Sequence, residues 1–274
     1  MKKILIPTDF SESAEYALKV AAQIAKENGG EIILLHMLEL PHQAGDAVGS
    51  GHDIPELMFF KSAAIKKLED LMEEDYLDGI NVSEIIQFEM AFEGILKISQ
   101  KNNVDLIVMG SHGASGFKEM FIGSNAEKVV RNSEVPVLII KKHHADFKVN
   151  DFVFASDFTD EIKKPFEKAV EFANKFDSTL HLVMITTPNN FKSTPISQEI
   201  MRNFAANFKI NKFQTHIYNE TNVEKGILNF ADSVHADLIG MSTHGRKGLS
   251  HFFNGSISED LVNHSTLPVI TFKI

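Results

Sequence analysis

The sequence predicts two tandem doubly wound α/β domains, each a five-stranded parallel sheet with helices on both faces. Three observations carry that prediction. The chain repeats itself, its apolar runs are continuous where strands are expected, and those runs alternate with segments of helical period. The repeat is visible directly. Ile4-Leu5-Ile6-Pro7-Thr8-Asp9-Phe10-Ser11 is echoed by Phe152-Val153-Phe154-Ala155-Ser156-Asp157-Phe158-Thr159, and Asp105-Leu106-Ile107 with Ser111-His112-Gly113 by Asp237-Leu238-Ile239 with Thr243-His244-Gly245. Each copy then carries a Gly-Ser pair, Gly123-Ser124 and Gly255-Ser256, and closes on Val135-Pro136-Val137 or Leu267-Pro268-Val269. The shift between copies is 148 residues at Asp9/Asp157 and 132 at Gly113/Gly245, so the second copy is 16 residues shorter between those anchors. The stretch Pro41 to Pro55, which has no counterpart of equal length, is assigned that loss. Lys141 to Asn150 is assigned the boundary, giving domains 1–143 and 149–274.

Each element has a local reason. Lys3–Pro7 is a short apolar strand. Ser11 is placed to N-cap a helix with apolar positions Ala14, Ala17, Leu18, Ala21 and Ala25, closing at Asn28-Gly29-Gly30. Glu31–Met37 is the next strand, Ala63–Leu77 a helix, Ser83–Phe88 a strand and Phe92–Lys101 a helix. Strand Leu106–Met109, helix Ser124–Asn132 and strand Pro136–Ile140 complete the copy. Continuous rather than alternating apolar strands indicate a sheet covered on both faces. In the second copy Pro165 falls opposite Ala17 and predicts a bent or late-starting helix.

Composition narrows the function classes. With 43% hydrophobic and 23% charged residues the 274-residue chain is globular rather than disordered. It has no cysteine, which excludes disulfides and thiolate metal sites and suits a reducing compartment. Pro7 and Asp9 interrupt the N-terminal apolar stretch too early for a signal peptide, and no run suits a membrane span. A cytoplasmic protein without membrane attachment is the expectation. The net charge of −10 argues against nucleic acid as partner, yet a small anion needs only backbone N–H groups and a helix dipole.

Open parallel sheets bind ligands beyond the carboxyl ends of their strands, where strand order reverses. Two segments bring chemistry there: Pro7-Thr8-Asp9, which presents a carboxylate, and Met109-Gly110-Ser111-His112-Gly113, followed by Gly123-Ser124-Asn125 at a helix start. Glycines admit close backbone approach, and a helix N-terminus offers free N–H groups and a positive dipole end. The same residues also fit a plain capping box, Ser124-x-x-Glu127 and Ser256-x-x-Glu259. Neither a G-x-x-x-x-G-K-[ST] loop nor a G-x-G-x-x-G after the first strand is present.

Gly110-x2-Gly113-x9-Gly123-Ser124, with Asp9 closing the first strand, resembles the ATP-binding pattern of the universal stress protein family, and the resemblance spans both copies. It implies strand order 3-2-1-4-5 and a nucleotide held between strands one and four. It implies that Pro7, Thr8 and Asp9 meet the adenosine together with backbone at Met37. Met109, Gly110, Ser111, His112 and Gly113 would line ribose and phosphates, with Gly123, Ser124 and Asn125 on the phosphate tail. The cofactor implied is ATP, or ADP or AMP in its place, with Mg carried on the phosphates and no metal ligated by the chain itself. Dimerisation through last strands is common in the family; Val137–Ile140 and Val269–Phe272 would pair within one chain as a pseudo-dimer, with a homodimer and a protein partner as further expectations.

The second copy keeps Asp157, Gly245, Gly255 and Ser256 but has Ser242 for the first glycine, Ile257 for Asn125 and Ala155 for Pro7. Its retained Thr243-His244-Gly245-Arg246-Lys247-Gly248 loop suits a phosphate, with two cations close by. No nucleophile–base–orienter set is legible, so no catalytic residue is assigned. His112 and His244 read as loop-fixing residues, as does His36. His42, His52, Asp53, His143 and His144 read as polar residues facing solvent rather than metal ligands, and Phe252-Phe253, matching Met120-Phe121, as packing beneath the loop. The 22 phenylalanines read as core. The function expected is an ATP-binding stress-response module rather than a dedicated enzyme, with a weak ATPase or a nucleotide-free interaction module as rivals.

Overall fold

The structure, a computed structural model, describes residues 1–38, 55–111, 122–243 and 256–274. The first copy runs β1 (Lys3–Pro7), α1 (Glu12–Asn28), β2 (Glu31–Met37), α2 (Pro55–Met72), a 3₁₀ turn (Asp75–Leu77), β3 (Asn81–Gln87), α3 (Ala91–Lys101), β4 (Leu106–Gly110), α4 (Ser124–Asn132) and β5 (Val137–Ile140). The second runs β6 (Asp151–Ala155), a 3₁₀ turn (Asp160–Ile162), α5 (Lys163–Lys175), β7 (Thr179–Thr186), α6 (Thr194–Ala205), β8 (Phe213–Asn219), α7 (Val223–Ser233), β9 (Leu238–Thr243), α8 (Ser256–His264) and β10 (Val269–Lys273). Among the described residues no helix is long and apolar enough to cross a membrane.

The strand order in the first half is β3-β2-β1-β4-β5, and the second half repeats it as β8-β7-β6-β9-β10. Within each half the recorded pairings are parallel, Ile4 opposite Ile32 and Leu106, and Phe152 opposite Leu180 and Leu238. Two compact units emerge whose limits differ from the repeat. The first takes in the chain from Met1 through β4, with Gly123–Val129 and Ile140–Ala145; the second takes in Val130–Ile139 and the described residues from Asp146 onward. Residues 137–139 of β5 therefore belong to the second unit, where they run antiparallel to β10, Val137 opposite Thr271 and Ile139 opposite Val269. The boundary stretch is packed in both places: Gln23 Nε2 donates to the His144 carbonyl in the first unit, and Phe147 and Val149 are buried in the second.

Local chemistry explains most element limits. Ser11 caps α1 by accepting from the Ala14 N–H at 3.3 Å, and Gly29 closes it in the left-handed conformation at φ 60°. In the second copy Pro165 stands third in α5; a 3₁₀ turn replaces the missing first turn, the late start that proline imposes. One helix departs from the limits that its period predicts. It begins at Pro55 rather than Ala63 and stops at Met72, with Leu77 in a separate 3₁₀ turn. Its counterpart has 12 residues against 18, so the second copy's deficit includes helix as well as loop. The stretch assigned that deficit lies outside the described residues except for Pro55.

The two cores differ in kind. The first packs β1, β2 and β4 aliphatics against an alanine-rich α1 face, Ala14, Ala17, Ala21, Ala22 and Ala25. The second substitutes rings. Phe154 meets Phe166 at 5.0 Å between centroids, Phe166 meets Phe204 at 5.0 Å and Phe208 at 4.8 Å, and Phe152 meets Phe172 at 5.8 Å. The volume is balanced across strands. A Cβ on Gly240 would stand 2.5 Å from the Phe152 ring, whereas the first copy has Val108 and Ile4 at those positions. A second glycine is set by backbone. A Cβ on Gly110, the last residue of β4, would meet Ser13 carbonyl carbon and oxygen at 2.6 Å, so strand end and helix start touch main chain to main chain.

Two stability measurements follow from these contacts. Gly240→Val alone overpacks the ring, and pairing it with Phe152→Ile restores the first copy's combination. Denaturation followed by circular dichroism should show each single variant less stable and a coupling of about 1–3 kcal/mol in favour of the double. Gly110→Ser should lower stability by about 3 kcal/mol, because the obstructing atoms are backbone and cannot rotate away.

Candidate functional site

At the carboxyl end of β1 the chain makes a turn shaped by its own side chains. Thr8 N–H extends the β2 ladder to the Leu35 carbonyl at 2.8 Å, and Thr8 Oγ1 accepts from Phe10 N–H at 3.1 Å. Asp9 Oδ1 accepts from Ser11 N–H at 3.0 Å, which anchors one carboxylate oxygen and points the group outward from an exposed residue. Phe10 holds a left-handed φ of 63°, costly for a ring-bearing residue, and the second copy repeats it at Phe158 with 56°. Its ring is braced by His36, 4.5 Å between centroids, and by Lys67 Nζ at 4.9 Å. His36 Nδ1 lies 2.8 Å from the Thr8 carbonyl; a carbonyl only accepts, so Nδ1 carries the proton. His36 therefore fixes the turn that carries Asp9, a more specific duty than loop packing.

Across the switch point, β4 ends on Gly110 against α1. The next residue, Ser111, is fully buried and clamps two segments. Its N–H donates to the Ile140 carbonyl at 3.1 Å, and its carbonyl accepts from Gly123 N–H at 2.7 Å. That second bond pins the start of α4 beside the strand end. Glu127 N–H donates to the Gly123 carbonyl at 3.0 Å, so Gly123 is the N-cap and Ser124 the first helical residue. The capping box with Ser124 as cap is thus replaced by a glycine cap. The N–H groups of Ser124, Asn125 and Ala126 belong to the first turn, beyond reach of any intrahelical carbonyl.

These segments enclose a cleft of about 420 Å³ in the first unit. Pro7, Thr8 and Asp9 line one side, Met109, Gly110 and Ser111 another, and Gly123, Ser124 and Asn125 the end; Met37 joins them from β2. His112 and Gly113 lie outside the described residues. The pattern did not mark Ala14, Leu35, Ala91, Ile95 and Ala126, which complete the wall. They carry no chemistry of their own, and only their place on helix faces toward the sheet end would have flagged them. Gly94 shows why α3 comes so close: a Cβ there would stand 2.1 Å from Met37 Cε. Among the described lining residues Asp9 is the one charged side chain, so the cleft joins an apolar wall, one carboxylate and a ring of main-chain donors.

The second copy preserves the turn and alters the floor. Ser156 Oγ accepts from Phe158 N–H at 3.1 Å, and Asp157 Oδ1 accepts from Thr159 N–H at 3.4 Å and Thr159 Oγ1 at 3.3 Å. Met184 replaces His36 in the β2/β7 register. Ser242 occupies the position of Gly110, and the segment that corresponds to the first turn of α1 is a 3₁₀ turn. Ser242 and Thr243 are buried, and their hydroxyls have no hydrogen-bond partner among the described residues. Gly245, Gly255, His244 and the Arg246-Lys247-Gly248 loop lie outside the described residues, as do His42, His52, Asp53 and the Met120-Phe121 and Phe252-Phe253 pairs. Ser256 is described only as the first residue of α8.

Comparison with known proteins agrees with this architecture. Residues 1–141 and 149–273 each match the universal stress protein family. A universal stress protein of Methanocaldococcus jannaschii, MJ0577, is 35% identical over 157 residues, which is 53% of this chain and 97% of that protein. Slr1230 of Synechocystis, also a universal stress protein, aligns along the whole of both chains at 21% identity. The crystal structure of a universal stress protein from Archaeoglobus fulgidus superposes with a TM-score of 0.75 and 26% identity, covering 99% of this chain and 96% of that one. Matched twice and nearly end to end, the chain belongs to the universal stress protein family as a tandem two-domain member.

Proposed function

We propose that the first copy binds an adenine nucleotide, ATP with Mg²⁺ on its phosphates, and that the protein acts as a nucleotide-dependent stress-response module rather than a dedicated enzyme. ADP and AMP are the alternative occupants. The reading rests on one observation: a carboxylate, a strand end stripped to main chain and the first-turn amides of α4 converge on one cleft. Its volume falls within the roughly 300–1,000 Å³ of small-molecule sites.

The residues suit the parts of such a ligand. Leu35, Met37 and Ile95 offer an apolar surface for a base, and Asp9 offers an acceptor for ribose hydroxyls. Gly110 and Ser111 let a phosphate chain pass close to backbone. The amides of Ser124, Asn125 and Ala126, at the positive end of α4, suit the anionic tail without a basic side chain. In this reading domain one spans 1–143 and domain two 149–274. The second is a degenerate nucleotide site around Asp157, Gly245, Gly255 and Ser256, with Ser242 in the place of Gly110. A protein partner would read the nucleotide state from the surface around the cleft.

Native mass spectrometry of the purified protein should find one adenine nucleotide per chain, and titration with Mg-ATP should raise the melting temperature. Asp9→Ala should weaken ATP binding more than tenfold while retaining the native circular dichroism. A protein that purifies empty and shows no thermal shift with Mg-ATP would overturn the assignment. His36→Met, which installs the second copy's residue, removes one hydrogen bond to Thr8. It should weaken ATP binding by about five- to tenfold, and His36→Asn, which keeps an N–H donor, should recover part of that loss in the same calorimetric titration.

A further inference from the structure

The second unit contains a polar relay on its sheet, in which His181 is buried and Asp151 and His216 are half-buried. His181 on β7 is 5% exposed. Its Nε2 lies 2.8 Å from Asp151 Oδ1 on β6, and its Nδ1 lies 3.1 Å from His216 Nε2 on β8. The two rings are 5.2 Å apart at 32°. One acid and two imidazoles thus run across three adjacent strands, and β8 is the last strand in this half of the order. The first copy has nothing comparable: the pairing registers place Lys3, Ile33 and Ile85 at the three positions.

Hydrogen-bond logic sets the protons. A carboxylate only accepts, so His181 Nε2 carries its hydrogen and Nδ1 is a lone pair, which receives the proton of His216 Nε2. That arrangement uses two neutral rings. One further proton is tolerated: placed on His216 Nδ1 it leaves the ring-to-ring bond intact, and the Asp151 charge offsets it. A second has only His181 Nδ1 to occupy, where it meets the His216 N–H head-on. The surroundings supply no rescue. Asp237 Oδ2 is engaged by the N–H groups of Asn150 and Asp151 at 2.7 and 3.1 Å. Tyr218 stands two residues along β8 on the same face, against Phe230 at 5.8 Å. The covering helix, α7, presents to His216 the Phe230 ring, 4.8 Å away.

We propose that Asp151, His181 and His216 form an acid-sensing latch that fastens the edge strand β8 to β7 and releases it when both imidazoles are protonated. Burial, and then the neighbouring His181, hold His216 below the ordinary histidine value. A released strand titrates near about 6.5, so it takes up protons first as pH falls. The latch is closed above that pH and loses stability below it. Only the second proton, which has no site but the ring-to-ring bond, opens the strand.

Hydrogen exchange of the full chain, corrected for intrinsic rates, tests this between about pH 7.5 and pH 5. Amides of Gln214–Tyr218 should lose protection by about tenfold or more on acidification, while the matching amides of β3 should not. The double variant His181→Ile/His216→Ile, which copies the first unit's residues, should make β8 insensitive to pH. Asp151→Asn, a milder change that retains an acceptor, removes the charge that offsets the first proton and should move opening to higher pH. Protection of β8 that is constant in the native protein, or an equal loss in the double variant, would overturn the latch. So would opening at lower pH in Asp151→Asn.

Discussion

Everything in the candidate site depends on one close contact, that of Gly110 against the first turn of α1. At 2.6 Å from where a Cβ would stand, the Ser13 carbonyl leaves room for hydrogen alone. Because β4 ends there, the chain leaves the sheet directly beside the turn of Asp9. Ser111 can then tie the strand end to Gly123 and set the first amides of α4 facing the same space. A larger residue would push helix from strand and pull the donors away from the carboxylate. The chemistry of the cleft is thus main-chain chemistry, arranged by a steric minimum and aided by a helix dipole.

Duplication lets the same constraint be watched where it is relaxed. With Ser242 in place of Gly110, the segment that corresponds to the first turn of α1 is a 3₁₀ turn and the helix starts late at a proline. The Asp157 turn survives intact, down to the left-handed Phe158, because it is held by its own neighbours and not by the strand that changed. His36 and Ile33 of the first copy become Met184 and His181 in the second, so the bracing of the site is dropped in one place and a polar relay is built in another. Core volume is conserved while its chemistry changes, Phe152 with Gly240 standing in for Ile4 with Val108.

How much of this the sequence discloses follows from the range of each interaction. The repeat, the apolar strands, the Ser11 cap, the Gly29 terminus and the Pro165 delay are local, and each stands in the structure where the pattern put it. Nine of the ten described residues named for the first copy sit at strand ends or at a helix start, which are themselves local signals, whereas Met37 is named by the family resemblance alone. The unexpected limits of α2 have a plain cause. Its first turns carry Met58, Phe59 and Phe60 exposed to solvent, so the amphipathic period begins only further along. The cap at Gly123 depends on which carbonyl the fourth residue reaches, a choice that Ser124-x-x-Glu127 does not encode. Ala91 and Ile95 enter the cleft through the approach of α3 to Met37, a tertiary event.

The histidine relay marks the far limit of sequence reading. Asp151, His181 and His216 are separated by 30 and 35 residues and lie on strands whose neighbouring positions are mostly apolar. Nothing in their spacing distinguishes them from His235 or His264. What unites them is register: parallel pairing sets Val153 opposite His181 and Val183 opposite His216, so side chains two residues apart along each strand come to one face. A single step in either register would send one imidazole to the opposite face and dissolve the relay. The positions are therefore a consequence of the same sheet that the first copy uses to carry isoleucine. The fold supplies the alignment without cost to either use. Substitution at three positions, Lys3, Ile33 and Ile85 in the first copy, puts an acid and two imidazoles in line across the sheet.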